Sequence, residues 1–185
     1  MKKILLPALV PVLMALLLAG CGGKKEDGLP AITIGDDSFY YGMSAEELPE
    51  EYRLEGSGSM RRCTALSAVV RDGDIVLINI RLEDGRSAEL QNPLNMSETI
   101  SVDSGMDTDS IVQALGIAQG SYAGSGEVSY CYFYRDKELT PIEKPLREYS
   151  EEELEDCFYL TFKYGGDAKI TNVIFADRRA AVYFK

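Results

Sequence analysis

The sequence predicts an α+β fold of two tandem strand–helix–antiparallel-meander units, with the helices packed on one face of the sheets. Three observations predict it. "YGMSAEEL" (residues 41–48) is echoed sixty-three residues later by "SGMDTDSI" (104–111). "GDIVLINIRLEDGRSA" (73–88) aligns without gaps on "GDAKITNVIFADRRAA" (166–181), matching Asn79 with Asn172, Ile80 with Val173 and Arg86 with Arg179. Around these echoes apolar residues recur with period two, as in half-buried strands. Self-similarity of this kind points to tandem supersecondary units that bury their faces on one another.

Each unit opens on a short β-like run, "AITI" (31–34) and "TISV" (99–102). A helix start follows. Ser44 and Glu47 form an S-x-x-E capping box, with Met43 and Leu48 as the two ends of a hydrophobic staple. The second echo sets Met106 before the cap Asp107, with Ile111 at the fourth helical position. Pro49 removes an internal hydrogen bond and shortens or kinks the first helix. The second runs to Leu115, where Gly116 supplies a left-handed end. Residues 63–71 and 74–82 then flank Asp72-Gly73, a hairpin turn signal. In the second unit 128–135 and 157–164 are strands around an insertion at about 136–156, in which Ser150 and Glu153 open a short solvated helix. Gly165-Gly166 turns into the last strand. The units so divided are 31–94 and 95–185.

The amino terminus carries an address. Lys2 and Lys3 precede an apolar run over 4–19 that is short for a membrane span and holds Pro7 and Pro11, so residues 1–20 read as a signal peptide. The run ends in Leu18-Ala19-Gly20-Cys21, which resembles the lipobox of bacterial lipoproteins. The resemblance implies that the chain is cut before Cys21 and that its thiol carries diacylglycerol. Acyl chains contribute about 0.8 kcal/mol per buried methylene, enough to hold a water-soluble body to a bilayer. The expected location is the cell membrane, lipid-anchored and facing outside the cytoplasm. "GGKKEDGLP" (22–30) reads as a flexible polar tether.

The whole chain has a net charge of −11, and removing Lys2 and Lys3 with the signal makes it −13. Phosphate backbones are repelled by such a body, so no nucleic-acid partner is expected. There is no histidine, which removes the usual general base and the commonest metal ligand. Phosphate-binding loops, dinucleotide fingerprints and nucleophile elbows are also missing. The chain therefore reads as a non-enzyme without a cofactor. Asp103, Asp107 and Asp109 lack the central glycine and closing glutamate of a calcium loop, and helix capping accounts for Asp107, so no metal is expected. Cys63, Cys131 and Cys157 lie in apolar strand-like contexts and read as buried thiols, with one disulfide and a free thiol as the alternative and no metal-ligand spacing.

The remaining candidates are aromatic. Alternation in "VSYCYFYR" (128–135) puts Tyr130, Tyr132 and Tyr134 on one face and Cys131 and Phe133 on the other. In "CFYLTFKY" (157–164), Phe158, Leu160 and Phe162 make the core face, leaving Tyr159 outside. As neighbours these strands would present an exposed tyrosine surface, and tyrosine suits binding because it buries much area at little entropic cost. The order I-x-[IV], G-M-[SD]-x-x-x-[LI], L-G, then a meander, resembles the fold shared by β-lactamase inhibitory proteins and the small SmpA-type lipoproteins of outer-membrane assembly. That resemblance implies a module that binds an extracytoplasmic protein across its sheet face and catalyses nothing; together with the stripe it makes Tyr130, Tyr132, Tyr134 and Tyr159 the expected contacts. The alternative is a lipoprotein that holds a small ligand or envelope polymer in a pocket between the two units.

Overall fold

The structure is a computed structural model that describes residues 25–82, 86–116, 122–124 and 126–181. The signal peptide and Cys21 lie outside the described residues. Among the described residues twelve strands form two antiparallel sheets. β1 (Ala31–Ile34), β2 (Asp37–Tyr40), β6 (Ser87–Asn92) and β7 (Asn95–Asp103) make the smaller one, in the order β2-β1-β6-β7. The larger contains β3 (Met60–Arg62), β4 (Leu66–Arg71), β5 (Asp74–Arg81), β8 (Tyr122–Gly124), β9 (Glu127–Arg135), β10 (Glu138–Pro141), β11 (Cys157–Tyr164) and β12 (Ile170–Asp177). Its order is β10-β9-β11-β12-β5-β4-β3, with β8 also paired to β9. Two short helices complete the described chain, α1 (Thr108–Leu115) and α2 (Arg178–Ala181).

The α+β expectation is overturned. Strand takes 49% of the described residues and helix 12%, and no helical layer covers a sheet. At the first echo the helix does not form. The Ser44 carbonyl accepts from Glu47 N–H in a tight turn, Ser44 bridges to Asp74, and Pro49 leads into a single 3₁₀ turn, Glu50–Tyr52. Proline cannot donate to the preceding turn and steers Leu48 away from helical geometry. At the second echo α1 forms as its signals require. Asp107 accepts from Ser110 N–H at 3.0 Å, and Gly116 ends the helix with φ +78°. Met106 and Ile111 both pack on the core, but eight residues make only a plug at one end of the sheets.

The internal repeat survives in another form. β5 pairs with β12 in a register that sets Ile80 opposite Val173, its own partner in the gapless alignment. Asn172 Nδ2 likewise donates to Asn79 Oδ1 at 2.9 Å. A local two-fold axis therefore passes between β5 and β12. The Gly-Met turns obey the same relation. Met43 N–H donates to Tyr40 O and Met106 N–H to Asp103 O, each at 3.2 Å, while the two methionine carbonyls accept from Ile75 and Ile170. Tyr40 ends β2 and Asp103 ends β7, so hairpin β1–β2 corresponds to hairpin β6–β7. Each half is thus hairpin, Gly-Met turn and meander. Grouped by that correspondence, β1–β5 form one half and β6–β12 the other.

One core lies between the sheets, drawing Ile32, Phe39, Leu90 and Val102 from the smaller and Ile78, Ile80, Val173 and Phe175 from the larger. This is sheet-on-sheet packing, in which alternate residues of each sheet meet in a shared layer. The outer face of the larger sheet is covered only in part. The insertion folds back so that Ile142 and Leu154 bury Cys131, Phe133 and Cys157. Its predicted capping box forms, Glu153 N–H to Ser150 Oγ and Ser150 N–H to Glu153 Oε2, but it opens turns and not an α-helix. α2 closes a second patch over Val69, Leu77 and Ala176. Hairpin β4–β5 turns at Asp72-Gly73 as predicted, both residues at positive φ as a two-residue turn of this hand requires.

Candidate functional site

The tyrosine stripe faces inward. Tyr130 and Tyr132 are each only 1% exposed and belong to the core between the sheets. Register explains it: Tyr130 sits opposite Leu160 and Tyr132 opposite Phe158, so the core face of β11 carries the tyrosines with it. Tyr130 donates its hydroxyl hydrogen to Gly116 O at 3.2 Å and meets Phe162 edge-on. Burial raises both phenols above the ordinary tyrosine range, Tyr130 to about 12. Tyr134, half-buried at the strand end, donates to Asp27 O at 2.7 Å. Tyr159 pairs with Cys131 on the opposite face, where it packs against the insertion. The four residues do not make one surface, and the exposed aromatic face expected from alternation is absent among the described residues.

What the fold does expose is the uncovered part of the larger sheet's outer face. The first half has no insertion, so its share of that face stays bare at the far end of β4, β5 and β12. There a groove of about 760 Å³ runs across the seam between the halves. Its floor is a ladder of side-chain hydrogen bonds: Asn172 Nδ2 donates to Asn79 Oδ1, and Asn79 Nδ2 donates to Ser67 Oγ, both at 2.9 Å. This orders the amides head to tail. The Ser67 hydroxyl hydrogen remains to donate at one end and Asn172 Oδ1 to accept at the other. Arg62 and Arg81 are exposed at the rim, and neither makes an ion pair among the described residues. Cys63, half-buried, lines the same wall. Two guanidinium groups without an ion-pair partner among the described residues, above an oriented amide ladder, suit an anionic group that also carries hydroxyls or amides.

Two other clefts compare less well. One of about 770 Å³ beside the first Gly-Met turn is lined by Glu46, Glu50, Arg53 and Arg61, charges of both signs that offset one another. Another, about 410 Å³, lies where Tyr159, Arg147 and Arg178 meet under the insertion. Arg178 is already engaged there by Glu151. Cys63, Cys131 and Cys157 are all free, Cys131 and Cys157 buried together and Cys157 raised by burial to about 11. No group of three or more His, Cys, Asp or Glu side chains among the described residues is placed to hold a metal ion.

The groove had a signal that period-two reading passed over. Asn79 and Asn172 are polar residues inside apolar strands, and they match one another across the alignment. Comparison of the chain with protein-family models, with curated proteins and with solved structures yields no match.

Proposed function

We propose that this chain is a membrane-anchored, extracytoplasmic binding module that catalyses no reaction. In this reading it holds an acidic, hydrogen-bonding segment of an envelope polymer in the groove across its two halves. The observation that carries it is the amide ladder at the seam, Ser67–Asn79–Asn172, overlooked by Arg62 and Arg81. Its volume falls in the range of small-ligand sites, and its polarity selects against apolar ligands. A body of net charge −13 repels anions at long range, so the groove selects by close geometry and not by steering.

The test is equilibrium binding of phosphate-bearing polyol oligomers and uronate oligomers to the body and to its Arg62→Glu/Arg81→Glu variant. Each charge-assisted hydrogen bond contributes about 1.5–3 kcal/mol, so the double variant should bind about 100-fold more weakly or not at all. Undiminished binding by a folded double variant would refute the site.

A second reading keeps a protein partner but moves it from the tyrosines to β7. This nine-residue edge strand pairs only with β6 among the described residues. A free edge is a template for an added strand. Ser97→Pro and Thr99→Pro would remove that template while sparing the groove. A membrane crosslinking partner lost in these variants and kept in the arginine variant would favour the edge.

A further inference from the structure

We infer that the supposed tether is part of the folded body, and that it turns one particular end of the sandwich onto the bilayer with the groove facing away. This rests on the reading that Cys21 is the lipid anchor. Residues 22–30 look like a flexible linker, yet from Lys25 onward they are docked. Leu29 is 0% exposed and sits in the core between the sheets. Gln91 Oε1 accepts from both Lys25 Nζ and Ala31 N–H. Asp27 accepts from Tyr134 through its carbonyl and pairs with Lys137 through its carboxylate at 2.9 Å. Gly28 has φ +81°, and a Cβ there would lie 1.7 Å from Lys137 O, so only glycine fits.

The span from Cys21 to the docked Lys25 is a leash of four residue steps. At no more than about 3.6 Å per residue it reaches about 14 Å, short beside the body. Register says which end it holds. Ala31, where the docked segment enters β1, lies beside Gln91, next to the β6–β7 tip. Tyr134 and Lys137 mark the β9–β10 turn, and Asp72-Gly73 belongs to the same end because the Gly-Met turn leaves β2 there and pairs with Ile75. Arg81 and Asn172 lie at the opposite end of β5 and β12, about 20 Å away along strands that rise about 3.3 Å per residue. The membrane-side tip carries Leu94, 50% exposed and one of two large apolar side chains so exposed among the described residues. Asp72 and Asp136 at the same end are flanked by exposed Arg71, Arg135 and Lys137, so charges of both signs offset one another there and the short leash sets the orientation.

The test uses the lipidated full chain in phosphatidylcholine vesicles containing a lipid with a nitroxide on its headgroup. With Cys63→Ser as background, a fluorophore is placed at Leu94→Cys or at Asp36→Cys, in the β1–β2 turn at the opposite end. Quenching should be at least fivefold stronger at position 94. A twelve-residue Gly-Ser insertion between Cys21 and Lys25 leaves the fold intact and should abolish the difference. Equal quenching at both positions in a chain that floats with the vesicles would overturn the docked leash alone. A chain that does not float with them would overturn the anchor and the orientation with it.

Discussion

Truncating Tyr132 separates an interior stripe from a binding surface. Its ring lies opposite Phe158, 1% exposed, with the smaller sheet packed over it. Tyr132→Ala removes the whole ring and leaves a cavity that two sheets held by hydrogen bonds can close only in part. Aromatic-to-alanine changes in such cores cost about 3–5 kcal/mol. For a body of this size each kcal/mol moves the melting temperature by about 2–4 °C, so Tm should fall by about 6–20 °C. Tyr132→Phe keeps the ring and should stay within about 1 kcal/mol of wild type. The assay is thermal unfolding by circular dichroism beside urea titration of the same proteins. A surface tyrosine would cost less than about 0.5 kcal/mol. Were Tyr132→Ala as stable as wild type, the inward placement of the stripe would be refuted.

Other outcomes follow from the same geometry. Asp177 accepts from Tyr41 at 3.0 Å, from Arg71 at 3.4 Å and from Ala180 N–H at 2.6 Å, joining the first Gly-Met turn to the end of β12. Asp177→Ala should cost about 3 kcal/mol in urea unfolding and Asp177→Asn clearly less, since charged hydrogen bonds contribute about 1.5–3 kcal/mol each. Of Cys63, Cys131 and Cys157, only Cys63 should react quickly with a disulfide reagent in the native protein, because Cys131 and Cys157 are buried; three fast thiols would contradict the covering by the insertion. Burial raises Tyr130 to about 12 from an ordinary 10.0. Its contribution to stability is therefore complete below pH 10 and lost as pH rises toward 12. Ultraviolet titration should show its phenolate appearing only with alkaline unfolding.

Much of the fold was legible where a local rule and the tertiary structure agree. Asp107, Ile111 and Gly116 specify α1 through capping, staple and positive φ, and Asp72-Gly73 specifies its hairpin. At Ser44 the same capping signal met Pro49 and lost, since one reciprocal cap cannot offset a missing donor in the second turn. The tyrosine face was misread for a different reason. β9 is buried on both sides, by the smaller sheet and by the insertion, so alternation between Tyr132 and Cys131 carries no sign. The sign came from β11, where Phe158 and Leu160 mark the core, and needed the register to reach β9. Docking of residues 25–30 was hidden by composition: a Gly-rich polar stretch reads as a linker unless Leu29 is seen to be the residue that inserts.

The seam groove is the proposed binding site. Cys63 sits in its wall, so the alkylation rate of that thiol reports occupancy without altering the ladder. Measured with and without saturating phosphate-bearing polyol or uronate oligomer, the rate should fall at least tenfold with one of them, and the Arg62→Glu/Arg81→Glu variant should show no protection. An oligomer that binds while Cys63 reacts at its unprotected rate would contradict the groove as the site.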